Sequence, residues 1–168
     1  MHSLKIVELV LTGYMPLTLW RHMTNGCIMI FARSAPLLYH RTITLFDILM
    51  ARQVLEFVGT ATAFLVVWGF LYTIEVVSAI ARLDLLLLGW AMMGWLAFGT
   101  GAIIAAITER SETAERFIQP LQYLTIPISG AFFMVDWLPT WSQNAILLNP
   151  LVHCYETFRA GFFGDTVK

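Results

Sequence analysis

Side chains able to do chemistry are concentrated in one stretch, Arg21 to Glu56, which reads RHMTNGCIMIFARSAPLLYHRTITLFDILMARQVLE. Arg21, Arg33, Arg41 and Arg52 stand in it with His22 and His40, against Asp47 and Glu56. The sequence contains no G-x-x-x-x-G-K-[ST] phosphate loop, and no motif sets a nucleophile beside a base. Neither Cys27 nor Cys154 has a second thiol or a histidine at metal-ligand spacing. No catalytic site and no metal site is therefore expected. The chemistry that suits this stretch is recognition. A basic amphipathic connector between apolar segments marks the cytoplasmic side of a membrane. It also offers a soluble partner charge at a rim and apolar side chains to bury.

The rest of the chain must hold that connector in place, and it is membrane-grade. Of the 168 residues, 58% are hydrophobic and 12% charged, about half the charged share of a soluble domain. The expected fold is an all-α membrane protein, one transmembrane domain over residues 1–168 with about four spanning helices. A net charge of −1 argues against nucleic acid as a partner. No cleavable signal is visible: the segment after Lys5 carries Glu8 and lacks a small-residue cleavage site.

The first apolar segment, Ile6 to Trp20, is short of a full span, and Gly13 and Pro16 should kink or break it. Glu8 near its start is expected to snorkel to an interface. Within the connector, Ile43, Phe46, Met50, Gln53, Val54 and Phe57 fall at helical spacing, so its second half should run as a helix into the next span. Pro36 should end whatever helix precedes it. The second span is expected at Val54–Ile74. Phe57, Phe64, Trp68 and Tyr72 recur along one of its faces, either as a packing stripe or as flat surfaces for sugar rings. The third span, Leu85–Ile107, carries small residues at Ala97, Gly101 and Ala105, which let another helix backbone approach. A polar turn, Glu109 to Arg116, separates it from a fourth segment, Phe117–Val135, which Pro120 and Pro127 interrupt.

Asp136 to Lys168 does not read as a span. Two short apolar helices with a break at Pro150 are expected there, re-entrant or interfacial. Arginine and lysine counts place the 21–56 connector and the Glu109–Arg116 turn in the cytoplasm, and the 136–164 region outside. That puts Cys27 and Cys154 on opposite sides, unable to pair. It also leaves both chain ends outside, so a further span is expected upstream and another downstream, giving about six in the complete protein.

At the level of motifs the chain resembles a known family. LTGYMPLTLWRHMTN, LLYHRTITLFDILMARQVLE and SGAFFMVDWLPTWSQNAILLNPLVHCYETFRAGFFG are similar to the inner-membrane permeases of capsular polysaccharide exporters. These are type-2 ABC transporters. The last motif is the most specific: Ser-Gly-x-Phe-Phe, a Leu-Pro, Asn-Pro-Leu, then Arg-x-Gly-x-Phe. The resemblance implies a permease that pairs with a second copy of itself and with a pair of ATPase subunits, which bind the ATP and Mg; this chain would hold no cofactor. It implies a lipid-linked polysaccharide as cargo, membrane lipid around it, and a periplasmic adaptor and outer-membrane channel beyond. The connector then corresponds to the region that docks on the ATPase, with Arg33, Leu37, Leu38, His40, Arg41, Phe46 and Asp47 as the coupling surface. Trp68, Tyr72, Tyr123, Phe132 and Phe133 would line the glycan path.

Other classes remain to be weighed. An O-antigen or teichoic-acid permease would share the fold. An ion-coupled secondary transporter needs ionisable groups at mid-membrane, and Glu8, Glu56 and Glu75 all lie near segment ends. A membrane-bound glycan enzyme needs paired carboxylates or clustered histidines, which the sequence does not offer.

Overall fold

The computed structural model describes residues 6–38, 42–129, 139 and 146–164. Seven helices are found among them: α1 Ile6–Asn25, α2 Ile30–Arg33, α3 Ala35–Leu38, α4 Leu45–Thr73, α5 Leu83–Arg110, α6 Glu112–Ile128 and α7 Pro150–Phe163. The described residues form no strand. The protein is an all-α membrane protein. Two helices, α4 and α5, are long and apolar enough to cross a bilayer. At 20 residues, α1 extends about 30 Å, which also matches a hydrocarbon core.

The helix boundaries differ from the apolar boundaries, and for one reason. Charge marks where a chain leaves lipid, not where a helix must stop. α1 continues through Arg21 and His22 to Asn25, and it is not broken at Pro16, which lies inside it. α4 begins nine residues before the expected span, at Leu45, so connector and span are one rigid rod as the spacing from Ile43 suggested. The expected polar turn shrinks to Ser111, since α5 ends at Arg110 and α6 starts at Glu112.

α5 is the axis of the bundle, with α1 and α7 packed along it. Apolar side chains gain little from leaving lipid, so helices here associate through close packing of backbones. Ala97, Gly101 and Ala105 are all buried, as the small-residue row requires. α7 runs antiparallel to α5. The Arg82 N–H donates to the Gly161 carbonyl over 2.8 Å, and a methyl group added at Gly89 would lie 2.6 Å from the Phe158 nitrogen. Going back nine residues from Phe158 to Asn149 descends about 13 Å, so α7 starts near mid-height of α5. Asn149 caps that start, accepting from the Leu151 N–H at 3.1 Å, with Pro150 in the first turn, where no N–H is missed.

An aromatic cluster fills the seam. The Trp90 ring lies 5.5 Å from Phe64, 5.7 Å from Phe158 and 6.5 Å from Phe57. Phe57 and Phe64 of the α4 stripe are thus core packing, and Trp68 is half-buried against the same cluster. Glu8 does not snorkel. It is buried, and its Oε1 accepts from the Ser78 N–H at 2.8 Å and from the Ser78 hydroxyl. A carboxylate excluded from water needs such donors. Here they fasten the start of α1 to the α4–α5 loop. Both cysteines are free and buried.

Candidate functional site

The connector between α1 and α4 is built by backbone constraints. Met29 takes a left-handed conformation, φ 52°, which turns the chain from α1 into α2. Two hydrogen bonds then fasten it to the end of α5: the Met29 N–H donates to Thr108 Oγ1 at 3.1 Å, and the Ala32 N–H to Glu109 Oε1 at 2.8 Å. α2 ends at Arg33, and Pro36 stands in the first turn of the next short helix, α3, where its missing N–H costs nothing. A second clamp lies about two turns into α4. Gln53 is buried and donates to Cys27 Sγ at 2.8 Å, while Arg52 pairs with Glu56 at 2.6 Å and His22 approaches the same carboxylate at 3.7 Å. Burial against this seam pushes the Cys27 thiol up to about 11. The end of α1, the connector, α4 and α5 are therefore held together in one region.

α4 opens on a reciprocal cap. The Asp47 N–H donates to Thr44 Oγ1 at 3.2 Å, and the Thr44 N–H and hydroxyl donate to Asp47 Oδ2 at 2.9 and 2.7 Å. Those bonds hold the Asp47 carboxyl below the usual carboxylate range. Two orphan amides are satisfied at once, and a negative charge sits at the positive end of the helix dipole. Between α2–α3 and the start of α4 lies an open, mostly apolar groove of about 450 Å³, lined by Ile30, Leu37, Ile43, Asp47, Ile48 and Leu55 among others.

This geometry brings part of the predicted coupling set together. Leu37 and Asp47 line the groove. Leu38 is half-buried against the small core beneath it. Arg33 and Phe46 are exposed, Phe46 by 61%. His40 and Arg41 lie outside the described residues. Three residues of the predicted aromatic path are described. Trp68 and Tyr72 stack on each other, centroids 5.4 Å apart. Tyr123 lies instead under the Arg21 guanidinium, 4.7 Å from the ring centroid. Phe132 and Phe133 fall outside the described residues. Sequence reasoning passed over the clamps themselves. Gln53 and Thr108 carry no motif, and only a polar residue on an otherwise apolar face hinted at them.

Fold and site together define a polytopic helical membrane protein whose polar connector is fastened to a long apolar helix pair. The chain belongs to the ABC-2 type transporter family, which matches residues 9–163. It is 35% identical over 165 residues to the capsule polysaccharide export inner-membrane protein BexB of Haemophilus influenzae. It is equally similar to the capsule polysaccharide export inner-membrane protein CtrC of Neisseria meningitidis serogroup A. Each match covers 98% of this chain and 62% of the relative, so the chain spans under two thirds of the length of these curated proteins.

Proposed function

We propose that this chain belongs to the inner-membrane permease of an ABC exporter for capsular polysaccharide. A separate pair of ATPase subunits, which bind ATP and Mg, supplies the energy. A second permease copy completes the pore, lipid-linked polysaccharide is the cargo, and a periplasmic adaptor and outer-membrane channel take it onward. The observation that carries this reading is the similarity to two capsule export proteins along nearly the whole chain. The geometry supports it. A partner pushing on the connector would move α4 directly, because Leu45–Thr73 is one helix, and would move α5 through Thr108 and Glu109. The exposed Arg33 and Phe46, the groove at Leu37 and Asp47, and His40 and Arg41 beside them in sequence form the coupling surface. α7, too short to cross and starting at mid-height of α5, suits a re-entrant element on the outer side.

The test uses the full-length permease with its ATPase. Arg33→Glu, Arg41→Glu and Phe46→Ala should insert and accumulate normally. They should lower glycan-stimulated ATP hydrolysis and the amount of ATPase that co-purifies. Loss of insertion would mark the arginines as headgroup anchors, each attracted by about 1 kcal/mol to an anionic leaflet. Three variants that hold their ATPase and export normally would remove the connector from the coupling surface.

A further inference from the structure

The exposed faces of the helices differ in chemistry. On α4 and α5 the outward residues are apolar: Leu65, Val66 and Phe70 on one, Leu88, Met92 and Trp95 on the other, Trp95 by 81%. Such faces suit lipid tails. α1 is different. Tyr14, Thr18, Arg21 and Asn25 follow at steps of four, three and four along one accessible face, the spacing of a continuous stripe. Tyr14 is 52% exposed, and the others are half-buried. α6 adds Tyr123, 58% exposed, and is pinned to α1 where Gln122 Nε2 donates to Thr24 Oγ1 at 3.0 Å.

Within that stripe Arg21 is an uncompensated charge. Arg52, Arg82 and Arg159 each have a carboxylate within 4 Å. Arg21 has none among the described residues, and its Nε finds no hydrogen-bond acceptor there. Glu56, in the clamp at the end of α1, is engaged by Arg52 and His22. The guanidinium carbon instead lies over the Tyr123 ring, 4.7 Å from its centroid. A guanidinium held against a ring still has N–H donors for a bidentate oxyanion.

We infer that Arg21 and Tyr123 form an oxyanion-recognition site on the α1–α6 face, which takes a carboxylate or phosphate of the exported glycan at the connector end of its path. The inference rests on the export reading and names what that path recognises. It also moves the path from the Trp68–Tyr72 pair, which shares a helix with the lipid-suited face, to the face that carries polar and aromatic groups together.

The experiment uses the full-length permease assembled with its ATPase in phosphatidylcholine nanodiscs. It is titrated with a fluorescent oligogalacturonate and, separately, with the same oligomer after its carboxyls are reduced to alcohols. The wild type should prefer the anionic oligomer. Arg21→Gln should weaken that binding by about tenfold or more, the scale of one lost charge-assisted contact, and leave the neutral oligomer unchanged. Arg21→Lys keeps the charge without the fork and should recover part of the difference. Tyr123→Leu should weaken the anionic oligomer by a smaller factor. If Arg21→Gln fails to assemble, the Arg21→Lys and Tyr123→Leu arms make the same comparison. Equal weakening of both oligomers would overturn the site, and so would a wild type that does not distinguish them. Arg21 serving a lipid headgroup would show as reduced retention of phosphatidylglycerol by Arg21→Gln in native mass spectrometry, with oligomer binding unchanged, and that too would overturn it. The export reading is separate, since it stands on capsule reaching the cell surface.

Discussion

Gly89→Ala tests whether backbone contact between α5 and α7 holds the bundle together. The added methyl would lie 2.6 Å from the Phe158 nitrogen, 2.7 Å from its Cα and 2.9 Å from its Cβ. Comfortable separation begins near 3.5 Å, so the seam must open by about 1 Å. None of the three atoms can rotate away, and Phe158 is fully buried against Phe64 and Trp90. Overpacking of this kind costs about 1–3 kcal/mol. Gly99→Ala is the matched control. It lies on the same helix with nothing within 4 Å of its added methyl, and it should gain up to about 1 kcal/mol of helix propensity. Thermal unfolding of the full-length permease in detergent should show Gly89→Ala lowered by several degrees and Gly99→Ala level or slightly raised. Gly161→Ala, whose methyl would run into the Leu86 backbone, should resemble Gly89→Ala. The double variant should lose less than the sum, because both open the same seam. Equal midpoints for Gly89→Ala and Gly99→Ala would refute the argument that this seam is a backbone contact.

Three further outcomes are expected. Asp47 is held ionised by its bonds to Thr44, so its folded-state pKa lies below the unfolded one; the cap's contribution is present above the unfolded value, near 3.9, and is lost as pH falls through the folded value. Amide exchange at Phe46–Ile48 should accelerate on that descent, and Asp47→Asn should remove the pH dependence; an unchanged pH profile in Asp47→Asn argues against the cap. Cys27, pushed up to about 11 by burial, should resist N-ethylmaleimide at neutral pH in a Cys154→Ser background and react once denatured, whereas native labelling at the rate of a free thiol would contradict the buried seam with Gln53. A cysteine replacing Thr42 should escape a membrane-impermeant reagent in intact spheroplasts while one replacing Ser142 is labelled, and the reverse pattern would invert the topology.

The parts of this fold that were legible in the sequence depend on local regularity. Spacing from Ile43 onward revealed the joined connector and span, and the small residues at Ala97, Gly101 and Ala105 revealed where another backbone comes close. What was hidden depends on partners far apart in the chain. Gln53 meets Cys27 across 26 residues, Ala32 meets Glu109 across 77, and Gln122 meets Thr24 across 98. No periodicity announces such pairs. Glu8 was misjudged for the same reason: its position near a segment end suggested water, but its donors come from Ser78, 70 residues on.

The aromatic residues make the same point about function. Residue type alone allows Phe64, Trp68 and Tyr72 to be core, lipid surface or sugar platform, and equal spacing cannot choose between them. Position on α4 decides: Phe64 is 3% exposed between Trp90 and Phe158, while Tyr72 is 48% exposed and stacks on Trp68. Tyr123 gains its distinct role from a neighbour that sequence places 102 positions away, Arg21. A ring beside lipid tails is only bulk. A ring beneath an unpaired guanidinium fixes the orientation of a charge, and orientation is what recognition of an oxyanion requires. The difference between α4 and the α1–α6 face is therefore set by which side chains the packing brings together, and Arg21→Lys separates charge from orientation at that face.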